Sequence, residues 1–204
     1  DGSSPLVYKT YCMLYNATET NRDIANWASS VKLLLTTLGM GDVWLYQGVG
    51  NVTQFLKLLE QRLKDNAKQL WGSTLRNSSD GILYRECKLN FGYSSYLDNI
   101  RQPKYRYQFV KFLTRNHKLA CVTGSWHKPQ PIPIALRLCS ECHVIEDEYH
   151  VVMTCKKFRN FRRRYISDSY WRRPSMHNFI SLLTSTNEAT IQNLAIFVYK
   201  MTKV

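Results

Sequence analysis

Nowhere does the sequence hold an apolar run near the roughly 18 residues that span a bilayer, and no signal-peptide pattern opens it. Neither a spanning helix nor a cleaved leader is therefore expected, and no membrane partner. Internal repeats and low-complexity tracts are absent, and strand signals are weak throughout. The chain starts at Asp1 without an initiator Met, so it reads as a piece of a longer protein. Acid is scarce: 15 Asp and Glu stand against 28 Lys and Arg, a net charge of +13. Between Asp98 and Glu141 there is no acid at all, while Arg101, Lys104, Arg106, Lys111, Arg115, Lys118, Lys128 and Arg137 all occur. Such an imbalance predicts an anionic partner, nucleic acid (RNA and/or DNA) ahead of an anionic membrane surface.

With 204 residues, 44% of them apolar, the chain is long enough to bury a core and too apolar to be disordered. Its six cysteines and three glycosylation sequons, at Asn16, Asn51 and Asn77, would suit a secreted protein. Sequons arise by chance, however, and three of the six cysteines fall in a tight metal-ligand spacing. A reducing, intracellular compartment, nuclear or cytoplasmic, is the expectation. Cys12, Cys87 and Cys121 are then ordinary half-buried thiols.

Apolar residues set the organisation. Residues 1–22 show no clear period and are expected to be an irregular lead-in. From Asp23 a helical domain is predicted over 23–127. Ile24, Trp27, Val31, Leu34, Leu35 and Leu38 recur at helical spacing until Gly39 and Gly41. Asn51 caps the longest helix, whose stripe of Val52, Phe55, Leu56, Leu59, Leu63, Ala67, Leu70 and Trp71 is expected to be core. Asn77 to Gly81 reads as a loop. Short helices follow at 83–91 and 96–100. Another begins at Pro103, in the first-turn position that proline suits, and runs to about Asn116. Three prolines make 128–136 a linker, followed by a zinc knuckle with a basic helix over 137–173 and helices over 174–204. The predicted class is all-α: a helical domain, a small CCHC zinc knuckle and C-terminal helices.

One motif carries chemistry. Cys139-x2-Cys142-x7-His150-x4-Cys155 offers three thiolates and an imidazole, the donors that a structural zinc ion takes in a tetrahedron. A two-residue gap lets one turn present both Cys139 and Cys142. Glu146, Asp147 and Glu148 suit the first turn of a helix that contains His150. Cys155, five residues on, would stand about 140° around an ideal helix from His150, so a break is expected just before it. Four protein ligands close the coordination shell, which makes the single Zn2+ structural and leaves no open position for hydrolase or transferase chemistry. His143 is an alternative to His150 that would crowd the turn. His117, His127 and His177 have no thiol nearby in sequence and are expected at the surface or in linkers.

Directly after Cys155 come eight basic residues, Lys156, Lys157, Arg159, Arg162, Arg163, Arg164, Arg172 and Arg173, against one acid, Asp168. Phe158, Phe161 and Tyr165 share a helical face and are expected to turn inward, with Lys156, Arg159 and Arg163 on another face. The basic residues are the candidate phosphate contacts, and Tyr170 and Trp171 the candidates for base stacking.

Arg137-Leu138-Cys139-x2-Cys142, then Ile145 to His150, Cys155 and Arg162, resembles the zinc-binding C-terminal end of non-LTR (LINE-type) retrotransposon reverse-transcriptase proteins. Trp27-x3-Val31-x2-Leu34-x3-Leu38-Gly39, with Val43-Trp44, Gln47, Asn51 and Phe55, is similar to the helical region after that family's polymerase. Tyr84, Lys88, Phe91, Tyr96, Leu97 and the run from His117 to Trp126 extend the likeness, which covers about residues 24–165. Departures stand at Val122 and Ser125, where the family often has an acid and an arginine, and at Lys156 in place of a usual proline. The polymerase's paired aspartates and the endonuclease residues are absent. The resemblance implies a non-catalytic part that positions template RNA or target DNA beside the rest of a parent polymerase chain. The alternative is a zinc-stapled helical module that recruits a protein and does not touch nucleic acid.

Overall fold

Caps and apolar periods favour helix here. Residues 4–20, 25–78 and 81–204, which the computed structural model describes, are mostly helical and form no strand, only one antiparallel bridge between Leu138 and Ile145. No helix among them is long and apolar enough to cross a membrane. The chain divides into two units, Asp1–Trp71 and Gly72–Val204.

The first unit contains α1 (Pro5–Thr20), α2 (Trp27–Thr37), α3 (Gly41–Tyr46) and most of α4 (Val52–Asn77). α1 differs from the irregular lead-in expected for residues 1–22. Its apolar period is weak because threonines interrupt it. Thr10, Thr18 and Thr20 each return a hydroxyl bond to the carbonyl four residues back, which lets them sit inside a helix. The expected helix start at Asp23 and Ile24 lies outside the described residues. α2 opens instead on a capping box at Asn26: its side chain accepts from the Ser29 N–H, and the Ser29 hydroxyl accepts from the Asn26 N–H, both at 2.9 Å. Gly39, at φ +70, ends the helix in the left-handed region that glycine tolerates best.

Ala28, Leu35, Leu38, Met40 and Trp44 form this unit's core, with Phe55 and Leu59 of α4 packed against it. The remaining α4 stripe was expected to be core, yet Val52, Leu56 and Leu63 are exposed and no α4 residue is fully buried. A five-residue core reaches only the first two turns of so long a helix. Trp27 and Leu34, which recur at helical spacing in α2, are exposed as well.

The second unit holds α5 (Ile82–Cys87), α6 (Tyr96–Asn99), α7 (Pro103–Leu113), α8 (Ala120–Thr123), α9 (Arg159–Tyr165), α10 (Asp168–Trp171), α11 (Met176–Leu183) and α12 (Glu188–Met201). Pro103 opens α7 as its spacing implied. α12 is the central helix: Ile191, Leu194, Ala195, Phe197, Val198 and Met201 are buried along one broad face, and α6, α7, α9 and α11 all pack on it. Ser175 and Asn187 cap α11 and α12 through side-chain bonds from Asn178 and Thr190 N–H. The Pro-rich segment 128–136 lies inside this unit. The Ile132 N–H bonds Gly124 O at 2.8 Å, and residues Ile134–Leu136 form a 3-10 turn.

The packing predicts a sharp asymmetry. Phe109→Ala, which empties a fully buried ring from the α7–α12 contact, should cost about 3–5 kcal/mol. Leu136→Ala, at an exposed position, should stay within about 0.5 kcal/mol of wild type. Urea unfolding followed by circular dichroism measures both.

Candidate metal centre

Four sulfur and nitrogen donors meet at the end of the 137–155 segment. The ligand atoms of Cys139, Cys142, His150 and Cys155 all lie within 4.8 Å of one another, a group that could hold a metal ion. Cys139 and Cys142 sit on a tight turn, where the Cys139 N–H bonds Val144 O at 2.8 Å and the His143 N–H bonds Cys139 O at 2.9 Å. The turn needs a left-handed residue and His143, at φ 56, supplies it. His143 is exposed and outside the cluster, so His150 is the imidazole that joins the thiols.

The expected break before Cys155 is present, and its form explains the spacing. His150–Thr154 is a π-helical turn in which the Cys155 N–H bonds His150 O at 2.8 Å, five residues back, after which Cys155 leaves in extended backbone. Widening the turn brings positions five apart onto one side, where an α-helix would separate them. Asp147 starts the turn by accepting the His150 N–H at 2.7 Å.

Two observations fit a metal. The Sγ atoms of Cys139 and Cys155 are 3.7 Å apart, and those of Cys142 and Cys155 4.0 Å. A tetrahedral ion with arms of about 2.3 Å sets two thiolates about 3.8 Å apart. Among the described residues, His150 Nε2 is the one buried side-chain nitrogen or oxygen that lacks a hydrogen-bond partner. Thr154 Oγ1 donates to His150 O at 3.2 Å, so it accepts from Nδ1–H at 3.0 Å, which leaves Nε2 with a bare lone pair. Burial holds this imidazole below its ordinary value, in the neutral form that ligates. Burial also pushes the Cys155 thiol up to about 12, against a backbone bond from Lys157. A cation shared among the sulfurs reverses that by favouring thiolate.

Around the cluster, the candidate phosphate contacts divide. Lys156, Lys157, Arg159, Arg163, Arg164, Arg172 and Arg173 are exposed, Arg172 in an ion pair with Asp168 at 2.9 Å. Arg162 is different. It is only 3% exposed, and its guanidinium donates to the carbonyls of Val152 (2.6 Å), Val151 (3.2 Å) and Cys155 (2.8 Å). It is therefore a clasp between α9 and the π turn and is unavailable to phosphate. Sequence spacing carried the signal: Arg162 lies four after Phe158 and three before Tyr165, on the inward face. Tyr170 and Trp171 are half-buried against the core, and the Trp171 indole N–H bonds Ile166 O at 3.0 Å with Arg162 over its ring. Neither is displayed for base stacking.

A second buried group was not foreseen. His117, Cys121 and Glu148 bring their donor atoms within 4.8 Å, and Arg115 joins them. Glu148 Oε1 accepts from His117 Nε2 at 2.9 Å and Arg115 Nε at 3.1 Å, and the Cys121 thiol faces Oε2 at 3.9 Å. His117 is 6% exposed and Cys121 2%, against the surface and half-buried positions expected of them. Burial, with Glu148 beside it, pushes the Cys121 thiol up to about 12, and a guanidinium already occupies the carboxylate. The group is a hydrogen-bonded tie and a poor cation site. Residues some thirty apart leave no local spacing to detect. Nearby, Glu146 accepts the Ala120 N–H at 2.8 Å, so the acids before His150 fasten α8 and His117 to the metal turn.

Burial raises the Glu148 carboxyl, but the His117 bond and the His117 and Arg115 charges outweigh it, leaving the group below its ordinary 4.5. A depressed carboxyl contributes stability above its unfolded value and loses it as pH falls through the folded one. Glu148→Gln should therefore cost about 3 kcal/mol at pH 7, and the gap to wild type should close between about pH 5 and pH 3. Thermal melts across that range read it.

Compared with known proteins, the chain matches no family model, no curated protein and no solved structure.

Proposed function

We propose that this chain is a non-catalytic nucleic-acid-binding region that carries one structural zinc ion on Cys139, Cys142, His150 and Cys155. The observation that carries the proposal is the row of exposed cations just after the last ligand. Lys156, Lys157, Arg159, Arg163, Arg164 and Arg173 face solvent, and none has a carboxylate partner among the described residues. Like charges that close repel one another unless an anion relieves them, and a phosphodiester strand supplies anions at regular spacing.

Zinc suits the donor set: three thiolates with one imidazole is a closed structural shell. When bound, the ion stiffens the knuckle and supplies no reactive water, since four side chains fill its positions. Arg162 carries that stiffness to α9 through three carbonyl bonds, so the helix that bears the exposed arginines is fixed against the knuckle. The residues that resemble the C-terminal end of LINE-type reverse-transcriptase proteins support the same role, a surface that positions template or target for a polymerase elsewhere in the parent chain.

A second reading, a zinc-stapled protein-interaction module, has one observation in its favour. Leu6, Val7, Tyr8 and Trp27 are exposed and line an apolar groove of the first unit.

Gel shifts with single-stranded RNA and DNA test the proposal. If five of the exposed cations contact phosphate, log affinity should fall with log salt at a slope of about 3.5. Cys142→Ser should lose both the equivalent of zinc and most of the shift. Binding with no salt dependence, or retention of a protein ligand but not of nucleic acid, would reject it. Charge reversal at Arg163 and Arg164 separates the two readings by which ligand is lost.

A further inference from the structure

Two basic stretches flank the metal cluster in sequence, one on α7 and one from Lys156 onward. In space a third element joins them. α12 packs against both α7 and α9. Tyr199 meets Tyr105 of α7 edge-on, ring centroids 5.1 Å apart, while Phe197 meets Phe158 at the start of α9 at 6.4 Å. Positions 197 and 199 stand about 200° apart around a helix, so α7 and α9 flank α12 on opposite sides. Between those flanks lies the exposed strip of α12, with Asn193 and Lys200 on it and Lys203 just beyond its end.

The charge on this three-helix layer is of one sign. α7 and α9 contain no acid, and the one acid of α12, Glu188, is paired with Arg101 at 2.6 Å. Lys104 lies over the Tyr105 and Tyr199 rings at 4.9 and 5.7 Å, Lys203 over Tyr199 at 5.5 Å, and Lys111 over the exposed Tyr107 at 4.8 Å. None of these lysines, nor Lys200, has a carboxylate partner among the described residues.

We infer that the outer faces of α7, α12 and α9 form one continuous track for a single-stranded nucleic-acid backbone, on which Lys104, Lys200 and Lys203 contact phosphates. The inference rests on the nucleic-acid reading above and extends it to a surface outside the metal segment. Tyr107, exposed on α7 beside Lys111, gives an unpaired base of a single strand a face to stack on. Three helices spaced 8–10 Å apart make the track about 20 Å wide, a span of several nucleotides, and single-strand grooves take about 4–16.

The test is anisotropy titration of the zinc-loaded full chain with mixed-sequence single-stranded RNA and DNA of about 3 to 12 nucleotides, at several salt concentrations. The variant is Lys104→Ala/Lys200→Ala/Lys203→Ala. Its sites are on the surface, and Lys104→Gln/Lys203→Gln serves as a milder second variant. With matched circular dichroism, the triple variant should lower the salt slope by about 2 and the affinity about a hundredfold at 0.1 M salt. The double variant should lower the slope by about 1.4. Wild-type affinity should rise with length and level off within about 4–12 nucleotides. An unchanged slope in either folded variant, while wild type binds, overturns the track and leaves the nucleic-acid reading standing. No binding by wild type removes that reading itself.

Discussion

His150 and Cys155, five residues apart, could not bring their donor atoms together from an ideal α-helix, and a π turn meets that constraint. The π turn His150–Thr154 rotates Cys155 back beneath His150, and its closing bond leaves the chain extended at Cys155. A turn of this kind is costly in isolation, because its wide ring packs poorly on itself. Here it is held from three directions. Asp147 secures its start, Arg162 bonds carbonyls within it and at Cys155, and the tie of Glu148 to His117 and Arg115 anchors the residue two before it. A metal among the four donors would be the fourth hold and the strongest, since structural zinc contributes about 10–16 kcal/mol in small domains.

The same arrangement sorts the basic residues by role. A guanidinium buried at 3% exposure must satisfy its donors locally, and Arg162 does so with three carbonyls, at the cost of serving as a surface charge. Burial holds it below its ordinary value, while the nearby thiols Cys155 and Cys142 pull the other way. Its neighbours Arg159, Arg163 and Arg164 remain exposed. One helix thus contributes both the clasp and the charge it displays.

Much of this was legible in the sequence, for identifiable reasons. The Cys/His cluster follows from Cys139-x2-Cys142-x7-His150-x4-Cys155, and the break before Cys155 from the angle that five residues subtend. Pro103 and Asn51 mark helix starts because their local chemistry does not depend on distant contacts. Misses fall where tertiary partners decide. Arg162 reads as a surface cation until its spacing from Phe158 and Tyr165 is weighed above its charge. His117 and Cys121 lack any local signal, since Glu148 lies about thirty positions away. α1 hid behind threonines that bond their own helix, and α4 shows an apolar stripe longer than the core of its unit can cover.

X-ray absorption at the metal edge of the purified chain tells whether three sulfurs and one nitrogen close around a single metal ion. Three sulfurs at about 2.3 Å and one nitrogen at about 2.0 Å, with no further oxygen, is the result predicted. A shell of oxygen and nitrogen alone, a bound water in place of a cysteine, or a chain that takes up no metal would contradict it.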